Sequence, residues 1–226
     1  MTKFKPELII WDYDGVLADS EKLWIKIWQN MLNENFDLGW DFETADKFLG
    51  GLAVKTKIKN LQQLGILIDD DFLRELKRRE TYDIEHNLKA TPGVEEILQQ
   101  TKIPYCLATG GFLAKTEAKL KAMNFKKYFP DEHIFTAEQV EHGKPEPDLF
   151  LFSAKQMNAL PQNTIVIEDS LPGLQAAQAA GMLPVAFVGS EMNCTPEYQK
   201  KVRELGVEHI FLTMKELSDF LKNIDK

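Results

Sequence analysis

Cysteine, positive charge and long apolar stretches are all scarce in this chain of 226 residues, and each shortage removes a class of function. Only Cys106 and Cys194 are present, with no CxxC spacing, so no disulfide framework is expected and a reducing, cytoplasmic setting is. Lys and Arg number 27 against 35 Asp and Glu, a formal net charge of -8. That balance argues against nucleic acid as a partner, because such binding rests on neutralising phosphates with Lys and Arg. An anionic substrate would have to be drawn in by positive charge local to a cleft. No apolar run approaches the roughly 20 residues that cross a bilayer. Met1–Leu8 alternates charged and apolar residues without the apolar stretch of a signal peptide, so neither a membrane partner nor export is expected. Internal repeats and low-complexity tracts are absent too, and His86, His133, His142 and His209 have no ligand spacing. The sequence leaves the oligomeric state open and is compatible with a monomer.

What is present is an alternation. Short apolar runs occur at Glu7–Tyr13, Pro104–Ala108, Thr164–Ile167 and Pro184–Val188, with a fifth candidate at His209–Leu212. Runs of this length suit strands buried on both faces, as in a parallel sheet. Helical patterns lie between them, at Val94–Gln100, Phe112–Met123 and the Ala-rich Pro172–Ala180, which Gly181 stops. The expected fold is therefore α/β, a Rossmann-like doubly wound parallel sheet. One region breaks the pattern. From about Asp19 to Asn87 there are four helical stretches and no strand: Ser20–Asn35, Phe42–Leu49, Val54–Leu64 and Asp70–His86. The expected organisation is a core of residues 1–17 and 89–226 with an all-helical cap domain, 18–88, inserted after the first strand.

Four short segments carry chemistry. Asp12-Tyr13-Asp14-Gly15 directly follows the first apolar run, which puts two carboxylates at the C-terminal edge of a strand, the usual ligand crevice of an open α/β sheet. Alone, the pair also reads as solvated turn-forming acids. An EF-hand loop does not fit, because Val16 supplies no oxygen where one is needed. Thr109-Gly110-Gly111 follows the second run and offers a hydroxyl and backbone N–H groups to a phosphate, or simply a Gly-rich turn. Lys144 stands before Pro145 and Pro147 in a restrained loop ahead of a helix. Glu168-Asp169-Ser170 is a second acidic pair at a strand end, costly to bury without a cation and suited to magnesium. Jointly the segments offer a nucleophile, an acid/base, a hydroxyl, a lysine and a metal site, the components of displacement at phosphorus.

With these residues in view, the chain resembles the haloacid dehalogenase superfamily, in its branch of sugar-phosphate phosphatases and β-phosphoglucomutase-like enzymes. The resemblance rests on DYDGVLADS at Asp12–Ser20, the Thr109 turn, KPEPDLF at Lys144–Phe150, and IEDSLPGLQAAQAAGM at Ile167–Met182. It implies that Asp12 attacks phosphorus and becomes phosphorylated while Asp14 serves as acid and then base. It implies a magnesium ion held by the Asp12 carboxylate, the Asp14 backbone carbonyl and Asp169, with Glu168 as a ligand or its support. Lys144 and Thr109 would hold the transferring oxygens, beside Gly110 where members often carry Asn. Mutases of this branch carry a His where this chain has Trp24, and an Arg after the cap loop that here reads Gly50-Gly51-Leu52-Ala53. Both are missing, so the expected function is hydrolysis of a small phosphorylated metabolite, a sugar phosphate. The alternatives are a phosphomutase and a non-catalytic phosphometabolite-binding protein. Trp24, Gly51 and Lys55 are the candidate specificity residues in the cap.

Overall fold

The computed structural model describes residues 4–52 and 54–224; Ala53 of the cap loop and the opening residues of Met1–Leu8 lie outside the described residues. Six parallel strands form one sheet: β1 (Leu8–Trp11), β2 (Tyr105–Thr109), β3 (Ile134–Thr136), β4 (Thr164–Glu168), β5 (Leu183–Phe187) and β6 (His209–Phe211). Their order is β3-β2-β1-β4-β5-β6, so β1 is central and the chain winds outward first on one side, then on the other. This is the doubly wound arrangement that the apolar runs imply. All four β1 residues are buried, because helices cover both faces of the sheet and alternate side chains must all be apolar. Leu8 and Ile10 pack with Phe150 and Ala177, and by alternation Ile9 and Trp11 point the other way. Each such side chain contributes about 1.5–3 kcal/mol by leaving water.

The five expected strands are all found. β3 was not expected, since only Ile134 and Phe135 are apolar there before Thr136, after a 3-10 turn at Asp131–His133, whereas the equally short β6 runs on through Ile210, Phe211 and Leu212.

Helices α1 (Glu21–Phe36), α2 (Phe42–Leu49), α3 (Val54–Gln63) and α4 (Asp70–His86) follow β1. The remaining helices are α5 (Val94–Gln100), α6 (Leu113–Ala122), α7 (Asp148–Gln156), α8 (Leu171–Ala179), α9 (Pro196–Glu204) and α10 (Met214–Asn223). The chain divides into two compact units, Met1–Asp19 with Lys89–Lys226, and Ser20–Leu88. Within the second, α1 buries Trp24, Trp28 and Met31 along one stripe, and Trp28 meets Phe72 of α4 at 5.6 Å between ring centroids. Asp41 and Asp69 cap α2 and α4 by accepting from Thr44 and Phe72 N–H. Within the first, the two strands of chain leading to and from the insertion run side by side. Ala18 bridges Ala90, and Thr91 N–H donates to Leu17 C=O at 2.9 Å. No helix among the described residues is long and apolar enough to cross a membrane.

Candidate active site

Strand register sets the site. Trp11 is level with Leu107 of β2 and Ile167 of β4, so the next residues, Asp12, Ala108 and Glu168, stand side by side at the C-terminal edge. Asp12 still belongs to the ladder, its N–H donating to Ile167 C=O at 2.9 Å. The chain then turns sharply: Tyr13 C=O accepts from Leu17 N–H at 2.9 Å, and Gly15 takes φ 79°. Glycine is needed here twice over. Its conformation is left-handed, and a Cβ would stand 1.8 Å from Asp169 Oδ2.

Lys144 connects the acids. Its loop closes in a turn, with Glu146 N–H donating to Gly143 C=O. Its Nζ donates to Asp12 Oδ1 at 2.5 Å and to Glu168 Oε1 at 2.7 Å, with Ala108 C=O at 3.4 Å. Glu168 gives its second oxygen to Ser170 N–H at 2.7 Å, so both of its oxygens are committed to the protein. Gly173 lets α8 approach this close, since a Cβ there would meet Glu168 Oε1 at 1.8 Å. Asp169 Oδ2 accepts from Asn193 Nδ2 at 2.8 Å, and its backbone carbonyl accepts from the Tyr198 hydroxyl at 2.7 Å.

Asp12, Glu168 and Asp169 each place a carboxylate oxygen within 4.8 Å of the others. Burial raises Asp12 to about 7; Lys144 opposes this, and the charges of Glu168 and Asp14 add to it. Burial also raises Asp169 well above the usual carboxylate range, reinforced by Glu168 and Asp12. For Lys144 burial acts to lower the ammonium, but Asp12 and Glu168 outweigh it and hold it above the usual lysine range. One ammonium against three close carboxylates, Asp12 and Glu168 buried and Asp169 half-buried, leaves negative charge in excess. An all-oxygen donor set carrying that excess fits a hard divalent cation such as magnesium.

A stability prediction follows. Carboxyl groups raised on folding stabilise below their unfolded range near 4, and that contribution is lost as pH rises toward 7. Metal-free protein is therefore expected to melt lower at pH 7.5 than at pH 5. Added magnesium is expected to raise Tm at pH 7.5 and to do little at pH 5, where protons already occupy the carboxylates. Thermal unfolding at both pH values checks this.

Thr109 ends β2 and is buried, its hydroxyl accepting from Gly111 N–H at 3.2 Å. Gly110 beside it is exposed, with nothing near its missing Cβ. The core unit thus gathers Asp12, Lys144, Glu168 and Asp169 into one contact network, with Thr109 at the edge of the strand beside Asp12. Trp24, Gly51 and Lys55 belong to the helical unit. Trp24 is buried on α1, Lys55 is exposed, and Gly51 (φ 64°) donates its N–H to Glu21 Oε1 at 2.7 Å in the turn after α2.

Several contacts were not anticipated. Asn193 and Tyr198 come from a loop and helix that carried no recognised motif, and no short-range pattern marks them. Lys119 is different: its Nζ reaches both oxygens of Asp14, at 2.6 and 2.7 Å. It lies on the buried stripe of α6 with Thr116 and Leu120, and a lysine on an otherwise buried stripe was the available signal.

Residues 9–187 match the family model described as haloacid dehalogenase-like hydrolase. The chain is 29% identical over 202 residues to the phosphorylated carbohydrates phosphatase of Thermotoga maritima, covering 83% of this chain and 87% of that protein. It is 28% identical over 189 residues to the 6-phosphogluconate phosphatase of Escherichia coli, covering 83% of this chain and 85% of that one. A HAD family hydrolase from Deinococcus radiodurans R1, solved with bound phosphate and sodium, shares the fold at TM-score 0.84 and 26% identity, over 98% of this chain and 97% of that chain.

Proposed function

This chain belongs to the haloacid dehalogenase-like hydrolases, and from that premise we propose that it hydrolyses a small phosphomonoester, a sugar phosphate, through a phosphorylated Asp12. The observation that carries the reading is the Lys144 ammonium in contact with both Asp12 and Glu168, at the edge of a cluster that includes Asp169. A nucleophile, a fixed cation and a carboxylate cluster converge there from three separate loops.

In the first half-reaction an Asp12 oxygen bonds to phosphorus as the bond to the leaving oxygen breaks, and Asp14 gives that oxygen a proton. In the second, water attacks the aspartyl phosphate, Asp14 takes the water's proton, and Asp12 is regenerated with release of phosphate. Lys144 keeps one Asp12 oxygen engaged, so the other is the one presented to substrate. The Thr109 hydroxyl and the N–H of the exposed Gly110 are the donors assigned to the phosphoryl oxygens. Asp12, Asp169 and the Asp14 carbonyl are the assigned magnesium ligands, with Glu168 acting behind them through Lys144. When bound, the ion would offset negative charge on the phosphoryl oxygens.

Substrate choice is assigned to the helical unit, as a cap carrying Trp24, Gly51 and Lys55. Hydrolysis is preferred over mutase chemistry because Trp24 stands where mutases of this branch carry His, and an indole N–H only donates and cannot relay a proton. The phosphatase names of the two curated relatives support the same choice. The test is phosphate release from a broad panel of sugar phosphates. Activity is expected with magnesium, is expected to vanish with EDTA, and to return on adding magnesium back. A panel giving no phosphate under any of these conditions ends the reading.

A further inference from the structure

The acid/base of the proposed reaction is gripped by a residue outside every motif described. Lys119 is on α6, and its side chain is only 4% exposed, whereas Asp14, its partner, is 34% exposed. The ammonium donates to Asp14 Oδ1 at 2.6 Å and Oδ2 at 2.7 Å. It also lies 4.3 Å from the centroid of the Tyr13 ring, a distance at which the ring face attracts a cation. Tyr13 is itself fully buried, and its hydroxyl is tied to Met123 Sδ, the residue that ends the same helix. Tyr13 and α6 therefore form a cradle that directs the ammonium at both oxygens of Asp14.

Such a grip has a purpose in chemistry that filling the core does not require. The terminal torsion of an aspartate is broad, so a half-exposed carboxylate at a turn samples many orientations. Two charge-assisted hydrogen bonds from a helix remove that freedom. We propose that Lys119 is a positioning residue for Asp14, aiming its carboxyl at the leaving-group oxygen while Asp12 bonds to phosphorus. The proposal rests on the phosphatase reading above. In the step concerned, the new Asp12–phosphorus bond forms, the phosphorus–oxygen bond to the leaving group breaks, and the Asp14 proton passes to that oxygen, which departs as an alcohol.

Leaving-group dependence separates positioning from structure. p-Nitrophenyl phosphate departs as a stable phenolate and needs little protonation; a sugar phosphate departs as an alcohol and needs the proton. In Lys119→Met, kcat/KM, which reports the steps up to departure of the leaving group and leaves out hydrolysis of the aspartyl phosphate, is expected to fall about 100-fold on the sugar phosphate that the native protein turns over fastest. On p-nitrophenyl phosphate the fall is expected to stay under about fivefold. Lys119→Arg, which keeps two directed donors, is expected to restore the native ratio between the two esters. Thermal unfolding is measured for each variant; if Lys119→Met does not fold, Lys119→Gln against Lys119→Arg carries the same comparison. Equal losses on both esters, no loss on either, or faster turnover of the sugar phosphate would each overturn the proposal. A native protein inactive on both esters removes the phosphatase reading instead, and the proposal with it.

Discussion

Asp12→Asn is expected to lose about 10⁵-fold or more in phosphate release while folding as well as the native chain. A carboxamide has the shape of the carboxylate but is no nucleophile, so the covalent route closes. Its neighbours are not left stranded, because Lys144 keeps Glu168 as a partner at 2.7 Å. The substitution also removes one of the close buried carboxylates, the group that burial raises to about 7. Metal-free Asp12→Asn is accordingly expected to melt at or above the native temperature at pH 7.5, with a weaker response to magnesium. Steady-state phosphate release and thermal unfolding check the two halves separately. Native-like turnover by this variant removes Asp12 as the nucleophile and leaves a hydrolase armed by another residue.

Lys144→Ala is expected to fail differently, in both stability and activity. The native ammonium is nearly buried and offsets Asp12 and Glu168 together. Removing one partner from such a group leaves uncompensated buried charge, at a cost of about 3–5 kcal/mol. In a chain of this size that corresponds to roughly 6–20 °C in Tm. Lys144 is the main influence holding the Asp12 carboxyl down, so its loss drives Asp12 further toward the protonated form. The destabilisation is therefore expected to be larger at pH 8 than at pH 5, where protons take over part of the lysine's role. Activity is expected to fall about 100- to 1,000-fold even where the variant is folded, as when one electrostatic donor is deleted from an active site. Denaturant unfolding at the two pH values, with kcat at 10 °C, measures both. A pH-independent loss of stability would mean that the lysine's contribution is packing.

The contrast between these residues and Lys119 shows what a linear reading can reach. Asp12 and the Glu168–Asp169 pair were legible because each follows an apolar run, and a parallel sheet carries residues that end such runs to one edge. The runs are visible because strands buried on both faces tolerate no polar interruption, as in β1 and β4. β3 escaped because only Ile134 and Phe135 are apolar before Thr136, a shorter run than the Ile210–Leu212 stretch that marks β6. Lys144 was legible as a restrained lysine, but its simultaneous hold on Asp12 and Glu168 depends on loops that meet only in three dimensions. Asn193 and Tyr198 reach Asp169 from 24 and 29 residues downstream, from a loop and helix whose composition says nothing of their destination. Gly15 in its turn and Gly173 in the first turn of α8 are each needed because a carboxylate occupies the space of a Cβ, which the sequence does not show.

The Ala18–Ala90 bridge and the Thr91–Leu17 hydrogen bond bring the exit and the re-entry of the polypeptide to neighbouring points on the sheet-bearing unit. A seam of that kind asks only that an insert begin and end close together, and says nothing of its interior. The strand register that sets Asp12 beside Glu168 lies wholly within the sheet-bearing unit, so an insert joined at Asp19 and Lys89 is expected to leave it unchanged. Chimeras joined at that seam test the assignment of substrate choice to the insert.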